Sequence, residues 1–159
     1  MAGSPVLVEE GYPLYKGKHK LVEYVSKAMR TPFVDRGREL GKGFDCWGLV
    51  HSISNEVFGN AIPDFTIGSE DKNRIYMQFL ERTKEEFYRI EESRIREGDL
   101  VAINMILSAP NLVQHFGIFI NKNTFIHTLK KAGPQLTKIT DISYKNRIRG
   151  YYRWNGNKI

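Results

Sequence analysis

One cysteine and four histidines are the side chains of this 159-residue sequence suited to nucleophilic and near-neutral proton chemistry. The cysteine, Cys46, lies in "GKGFDCWGLVHS", between an aspartate and a tryptophan and shortly after two glycines. Leu49, Val50, Ile53 and Val57 recur beyond it at helical spacing. Gly59 supplies a stop, and Asp45 stands where an N-cap residue belongs. The spacing therefore predicts a helix that starts at Cys46. Unpaired N–H groups and the dipole at a helix start favour the thiolate, the nucleophilic form. The same donors lie where a tetrahedral oxyanion would form. Without such a setting, a free cysteine is a small hydrophobe that is usually buried and inert.

A thiol nucleophile also needs a base. His51 follows Cys46 by five residues, which turns it about 140° around the helix. His19 falls in a separate helix, and both read as surface or packing residues. His115 opens "HFGIFI" and His127 lies in "TFIHTLK". With a tight turn at residues 121–123, "NKN", the midpoint of the two histidines is residue 121. They are then expected nearly opposite each other on neighbouring strands. One imidazole would hydrogen-bond the other and fix its tautomer, completing a nucleophile, a base and an orienting residue. A zinc site built from Cys46, His115 and His127 matches no common ligand spacing, and the chemistry calls for no metal or other cofactor.

These side chains need a scaffold. Residues 19–30 place Leu21, Val22, Val25 and Met29 on one helical face, and Thr31-Pro32 ends that helix. Residues 33–43 and 60–70 read as loops, and residues 71–88 as a second amphipathic helix. From residue 100 onward the chain changes character. "LVAINMI" (100–106), "HFGIFI" (115–120), "TFIHTLK" (124–130), "QLTKI" (135–139) and "IRGYYRW" (148–154) are short, rich in β-branched and aromatic residues, and separated by turn signals. Helices first and strands second make an α+β layout, with helices packed on one face of an antiparallel sheet.

Composition narrows the function classes. The length fits one domain with a real core, and 41% hydrophobic and 12% aromatic residues fit a globular chain. No stretch is apolar for long enough to span a membrane. The first twenty residues lack the charged start and long apolar run of a secretory signal, and a single cysteine forms no internal disulfide. The net charge of +6 favours anionic partners. Lys130, Lys131, Lys138, Lys145, Arg147, Arg149 and Arg153 are interleaved with apolar residues at strand spacing. They show no nucleic-acid-binding motif, so they read as a solvated basic face.

"GFDCWGLV", "EGDLVAI", "HFGIFINKNTFIH" and "RGYYRW", in that order, resemble the NlpC family of papain-like cysteine peptidases, which cut peptide stems of bacterial cell walls. The resemblance covers roughly residues 19–154. It makes 19–159 a single domain and 1–18 an N-terminal extension. It implies a cysteine helix packed on a five- or six-stranded antiparallel sheet, with Cys46 as nucleophile, His115 as general base and acid, and His127 orienting His115. Trp47, Asp45 and Arg36 are the candidate substrate contacts. "TPFVDRGRELGKGFDCWGLV" and "AIPDF" are similar to the branch found in tail tips of bacteriophages and prophages. That branch implies a virion-tail location with other tail-tip proteins as partners. Many relatives carry a tyrosine about a dozen residues before the cysteine, as an oxyanion donor. The matching position here is Phe33, which has no hydroxyl.

Overall fold

The computed structural model describes residues 13–65, 77, 79–82 and 84–159. Helix α1 spans Pro13–Ala28 and so begins before residue 19. Its inward face is Leu21, Val25 and Ala28, an i, i+4, i+7 stripe. Val22 and Met29, expected on that face, are turned outward instead, 59% and 36% exposed. The helix stops as expected, because the Thr31 hydroxyl donates to the Lys27 carbonyl at 3.0 Å and Pro32 follows.

The stretch read as a loop before the cysteine contains a short antiparallel pair, β1 (Arg38–Glu39) and β2 (Gly43–Phe44). Helix α2 then runs over Cys46–Glu56, starting where the sequence placed it. Its residues Cys46 to Val50, together with Ser52, Ile53 and Ser54, are all buried. A helix enclosed on so much of its circumference lies inside the core and not on its surface.

Six strands form one sheet in the order β3-β8-β4-β5-β6-β7, every pairing antiparallel. They are β3 (Phe87–Ile90), β4 (Leu100–Ile103), β5 (His115–Phe119), β6 (Thr124–Leu129), β7 (Gly133–Lys138) and β8 (Ile148–Trp154). The five expected strands are present. Strand β3 is additional, and it corrects the end of the helix expected over 71–88. Most of that expected helix lies outside the described residues, of which 77 and 79–82 are helical.

Both faces of the sheet are covered. On one face, Phe116, Ile118, Ile126, Leu100 and Tyr152 join α1 and α2 in the larger core. On the other, Val101, Ile103, Phe119 and Phe125 pack with Ile139, Tyr144 and Ile148. Tyr144 belongs to a short helix, α3 (Ile142–Lys145). The expectation of helices on a single face holds for the long helices, and the β7–β8 connection closes the second face.

Candidate active site

The start of α2 is built by four neighbouring groups. Asp45 is buried, and its Oδ1 accepts the N–H of Gly48 at 2.8 Å, the N-cap bond the sequence predicts. The backbone N–H of Arg36 donates to the other carboxylate oxygen at 3.0 Å. Arg38 donates through Nη1 to Asp45 Oδ1 at 2.7 Å and to the Gly37 carbonyl at 2.8 Å. It also donates through Nε to Asp64 and through Nη2 to the Phe65 carbonyl. Burial pushes the Asp45 carboxyl up, against the pull of these hydrogen bonds and of the Arg38 charge. Gly48 is needed because a Cβ there would run into the carbonyl of Gly37 and reach 2.9 Å from Arg38 Nη1. Its close neighbour is thus the preceding loop and not the sheet.

Two of the expected substrate contacts are consequently structural. Asp45 spends both oxygens on the cap and the loop. Trp47 is fully buried, stacked on Phe65 with ring centroids 4.7 Å apart, and its Nε1 donates to the Pro63 carbonyl at 3.0 Å. Neither presents a surface to a ligand. Arg36 has an exposed side chain and a φ of 62°, the left-handed region that costs a non-glycine residue roughly 1 kcal/mol. That conformation aims its amide at Asp45.

The edge of the Trp47 ring system meets Phe116, with centroids 5.2 Å apart. Trp47 follows Cys46 and Phe116 follows His115, and α2 packs on β5 and β6. His115 and His127 are both buried. Nε2 of His115 lies 2.8 Å from Nδ1 of His127, and Nε2 of His127 lies 2.9 Å from Oγ1 of Thr137. Three consecutive strands, β5, β6 and β7, each contribute one member of this chain.

The register differs from the expected one. Ile118 pairs with Ile126 and Phe119 with Phe125, so the turn is centred on Lys122 and not on Asn121. Extending that register sets His127 across from Gly117, with His115 on the diagonal. The Asn121 side chain fixes this turn by accepting the N–H groups of Asn123 and Thr124 at 2.8 and 2.9 Å. Gly117 matters for packing, since a Cβ there would lie 2.9 Å from Phe125 Cδ2 and 3.0 Å from the Ile126 carbonyl.

Burial holds His127 well below the ordinary histidine value, at about 4, against an opposing pull from Asp141. It is therefore neutral at pH 7, with one N–H. With that proton on Nε2, His127 donates to Thr137 and accepts from Nε2–H of His115. Nδ1 of His115 is then the basic nitrogen of its ring, which is the tautomer a general base requires. Both nitrogens of His127 are occupied, so it is not available as a metal ligand. Among the described residues, no group of three or more His, Cys, Asp and Glu side chains is placed to hold a metal ion.

The family model described as the NlpC/P60 family matches residues 30–157. The chain belongs to the NlpC/P60 family. That family consists generally of cysteine peptidases that hydrolyse cell-wall peptidoglycan. A family protein of Staphylococcus aureus, described as similar to a lipoprotein, has the same fold, with a TM-score of 0.64 and 18% identity over 99% of this chain and 46% of its own. NlpC2 of Trichomonas vaginalis gives a TM-score of 0.60 and 17% identity over 92% of this chain and 49% of its own. The NlpC/p60 domain of the peptidoglycan hydrolase SagA gives 0.56 and 19% identity over 86% of this chain and 97% of its own. The chain spans about half the length of the first two structures. No curated protein matches it in sequence.

His19 is exposed, and His51 is half-buried beside Asn55. Both stand apart from the constellation, as expected. Thr137 was not singled out by sequence reasoning as part of the site, whereas Arg38, in the loop with Asp35 and Arg36, was read as a substrate contact or a solvated loop residue. The β6–β7 register, which pairs His127 with Gln135 and Phe125 with Thr137, is the signal that finds Thr137. The structure instead has Arg38 tying loops together through Asp45, Asp64 and the Phe65 carbonyl. Among the described residues, no helix is long and apolar enough to cross a membrane.

Proposed function

We propose that this NlpC/P60 protein is a papain-like cysteine endopeptidase or amidase that hydrolyses peptide stems of bacterial peptidoglycan. The reading is carried by the polar chain from His115 through His127 to Thr137, on a scaffold whose cysteine opens a capped helix. In this mechanism Cys46 Sγ attacks the amide carbonyl carbon as a thiolate. The N–H groups at the start of α2 stabilise the oxyanion. The His115 imidazolium then protonates the leaving amine, and the C–N bond breaks to leave a thioester. His115 next takes a proton from water, the resulting hydroxide adds to the thioester, and Cys46 leaves as thiolate. His127, held neutral by burial and by Thr137, keeps the His115 ring in register.

The wording of the sequence around Cys46 supports a place for the protein at the tail tip of a bacteriophage or prophage, in the virion among other tail proteins. A second reading is favoured by Phe33, which lacks the relatives' hydroxyl. Phe33 bridges to Phe44, two residues before Cys46, so a donor lost there is lost near the sulfur. In that reading the domain is a tail-tip assembly part with little turnover.

The rate of Cys46 alkylation by iodoacetamide across acidic to alkaline pH separates the two. A plateau that extends well below neutral pH and is abolished by His115→Ala marks a thiolate–imidazolium pair and the hydrolase. A rate that rises only near the ordinary thiol pKa of about 8.5, and that ignores the substitution, makes the assembly role the answer.

A further inference from the structure

A cavity of about 430 Å³ opens between the C-terminal end of α1 and the turn joining β6 to β7, lined by residues 29–33 and 130–134. Its volume is within the range of small-ligand sites. Arg30, Lys130 and Lys131 are in the lining, and no acidic residue is. Among the described residues, none of the three forms an ion pair with a carboxylate. Other basic side chains of the molecule are committed elsewhere: Arg153 pairs with Asp99, Arg38 with Asp45 and Asp64, and Arg149 donates to backbone carbonyls. Among the described residues no carboxylate neutralises the positive charge at this cavity.

The position is as informative as the charge. Phe33, in the lining, belongs to the strip that hydrogen-bonds to β2 immediately before Cys46, with Val34 N–H donating to the Phe44 carbonyl at 3.0 Å. Lys130 follows directly on β6, three residues beyond His127. Pro134 lies on β7, three residues before Thr137. One wall of the cavity is thus the segment that leads into the nucleophile, and the other is the hairpin that carries the second histidine and its threonine.

We propose that this cavity is an anion-binding subsite adjoining the Cys46 site, in which Arg30, Lys130 and Lys131 hold a carboxylate or phosphate group of the substrate. The proposal rests on the hydrolase reading for what the substrate is, and on the cavity alone for the charge it carries. Two sources share this chemistry: a free carboxylate of the peptide stem, and a phosphate of an anionic wall polymer attached near it. Each cation alone contributes little because it is exposed to water. Together in one lining, beside an apolar wall of Met29, Pro32 and Phe33, they give selectivity for charge at the cost of sensitivity to salt.

The test uses the full chain carrying Cys46→Ser, so that binding is read without turnover. A soluble stem peptide with free carboxylates, the same peptide fully amidated, and glycerol phosphate are titrated separately by calorimetry. The titrations are repeated with Lys130→Gln/Lys131→Gln added, circular dichroism confirming the fold. About tenfold tighter binding of the acidic over the amidated peptide, erased by the double substitution, assigns the subsite to the stem carboxylate. Lysine-dependent binding of glycerol phosphate, with no difference between the peptides, assigns it to the polymer. Equal affinities for both peptides, and glycerol phosphate binding that ignores the lysines, overturn the proposal. That failure is distinct from failure of the hydrolase reading, because Cys46 alkylation in the otherwise unaltered chain reports on the thiolate whatever the cavity binds.

Discussion

The Thr137 hydroxyl and the inner nitrogen of His127 lie 2.9 Å apart, and both side chains are buried. A threonine on the edge strand of the sheet is therefore the partner of one His127 nitrogen, donating to it or accepting from it according to the tautomer. With the proton of His127 on Nε2, the 2.8 Å contact between the rings leaves Nδ1 of His115 as the basic nitrogen.

Replacing Thr137 with valine keeps the volume and removes this partner. The expected cost in stability is about 1–3 kcal/mol, because the Nε2–H of His127 is left buried and unpaired. The expected loss in kcat/KM on a muropeptide is on the order of tenfold, and His127→Ala loses on the order of a hundredfold. A merely structural role would leave the acidic limb of the pH–rate profile in place. Here that limb moves, since the orientation and basicity of His115 change with its partner.

The depressed pKa of His127 makes stability depend on pH in a defined window. The folded protein holds this group neutral down to about 4, whereas an unfolded histidine protonates near 6.5. Below that value the unfolded state binds the extra proton, so stability falls as pH drops from about 6.5 to about 4, by on the order of 3 kcal/mol. Denaturant midpoints at pH 7 and pH 5 measure it. His127→Gln, which has no titrating group, flattens that part of the curve.

Gly117→Ala places a methyl group 2.9 Å from the Phe125 ring and 3.0 Å from a backbone oxygen on β6. Overpacking of this kind costs about 1–3 kcal/mol. Phe125 and His127 pack ring against ring, with centroids 5.0 Å apart, so activity is expected to fall together with the urea midpoint. An unchanged midpoint would show that the two strands part easily.

Arg38→Met removes the cation that binds Asp45, Asp64 and two carbonyls, and leaves a buried carboxylate with fewer partners. The loss expected is about 3 kcal/mol, read as a lower thermal midpoint. Alkylation of Cys46 is expected to lose its low-pH plateau, because the first turn of α2 is no longer held.

The start of α2 could be read from the sequence because its signals are local: an aspartate cap, a helical apolar repeat and a closing glycine. The histidine pair was legible for the same reason, since two strands and a tight turn fall within a short stretch. Its register was one pleat off, because Asn121 caps a three-residue turn from its first position. Strand β3 was missed because Phe87–Ile90 is only four residues long, buries Phe87 and Ile90 at a helix-like spacing of three, and pairs with the far end of the chain, Trp154 to Tyr151. Trp47 and Asp45 were assigned to substrate because both residue types suit a cleft as well as a core. Only the arrival of Phe65, Pro63 and Arg38 from distant loops decides that they face inward. The Phe33 position was marked by its missing hydroxyl, and the cavity it lines comes from the β6–β7 turn, with which it shares no sequence signal.

The three polar members on β5, β6 and β7 come from one uninterrupted run of chain, joined by two hairpins, whereas Cys46 precedes His115 by a long excursion. Hairpin contacts close early in folding and contacts over long loops close late. The imidazole pair can therefore take shape before the cysteine helix docks with Trp47 against Phe116. A chain caught partly folded carries the imidazole pair and the thiol on separate pieces. On the proposed hydrolase reading, competence to cut bonds arrives together with the completed core.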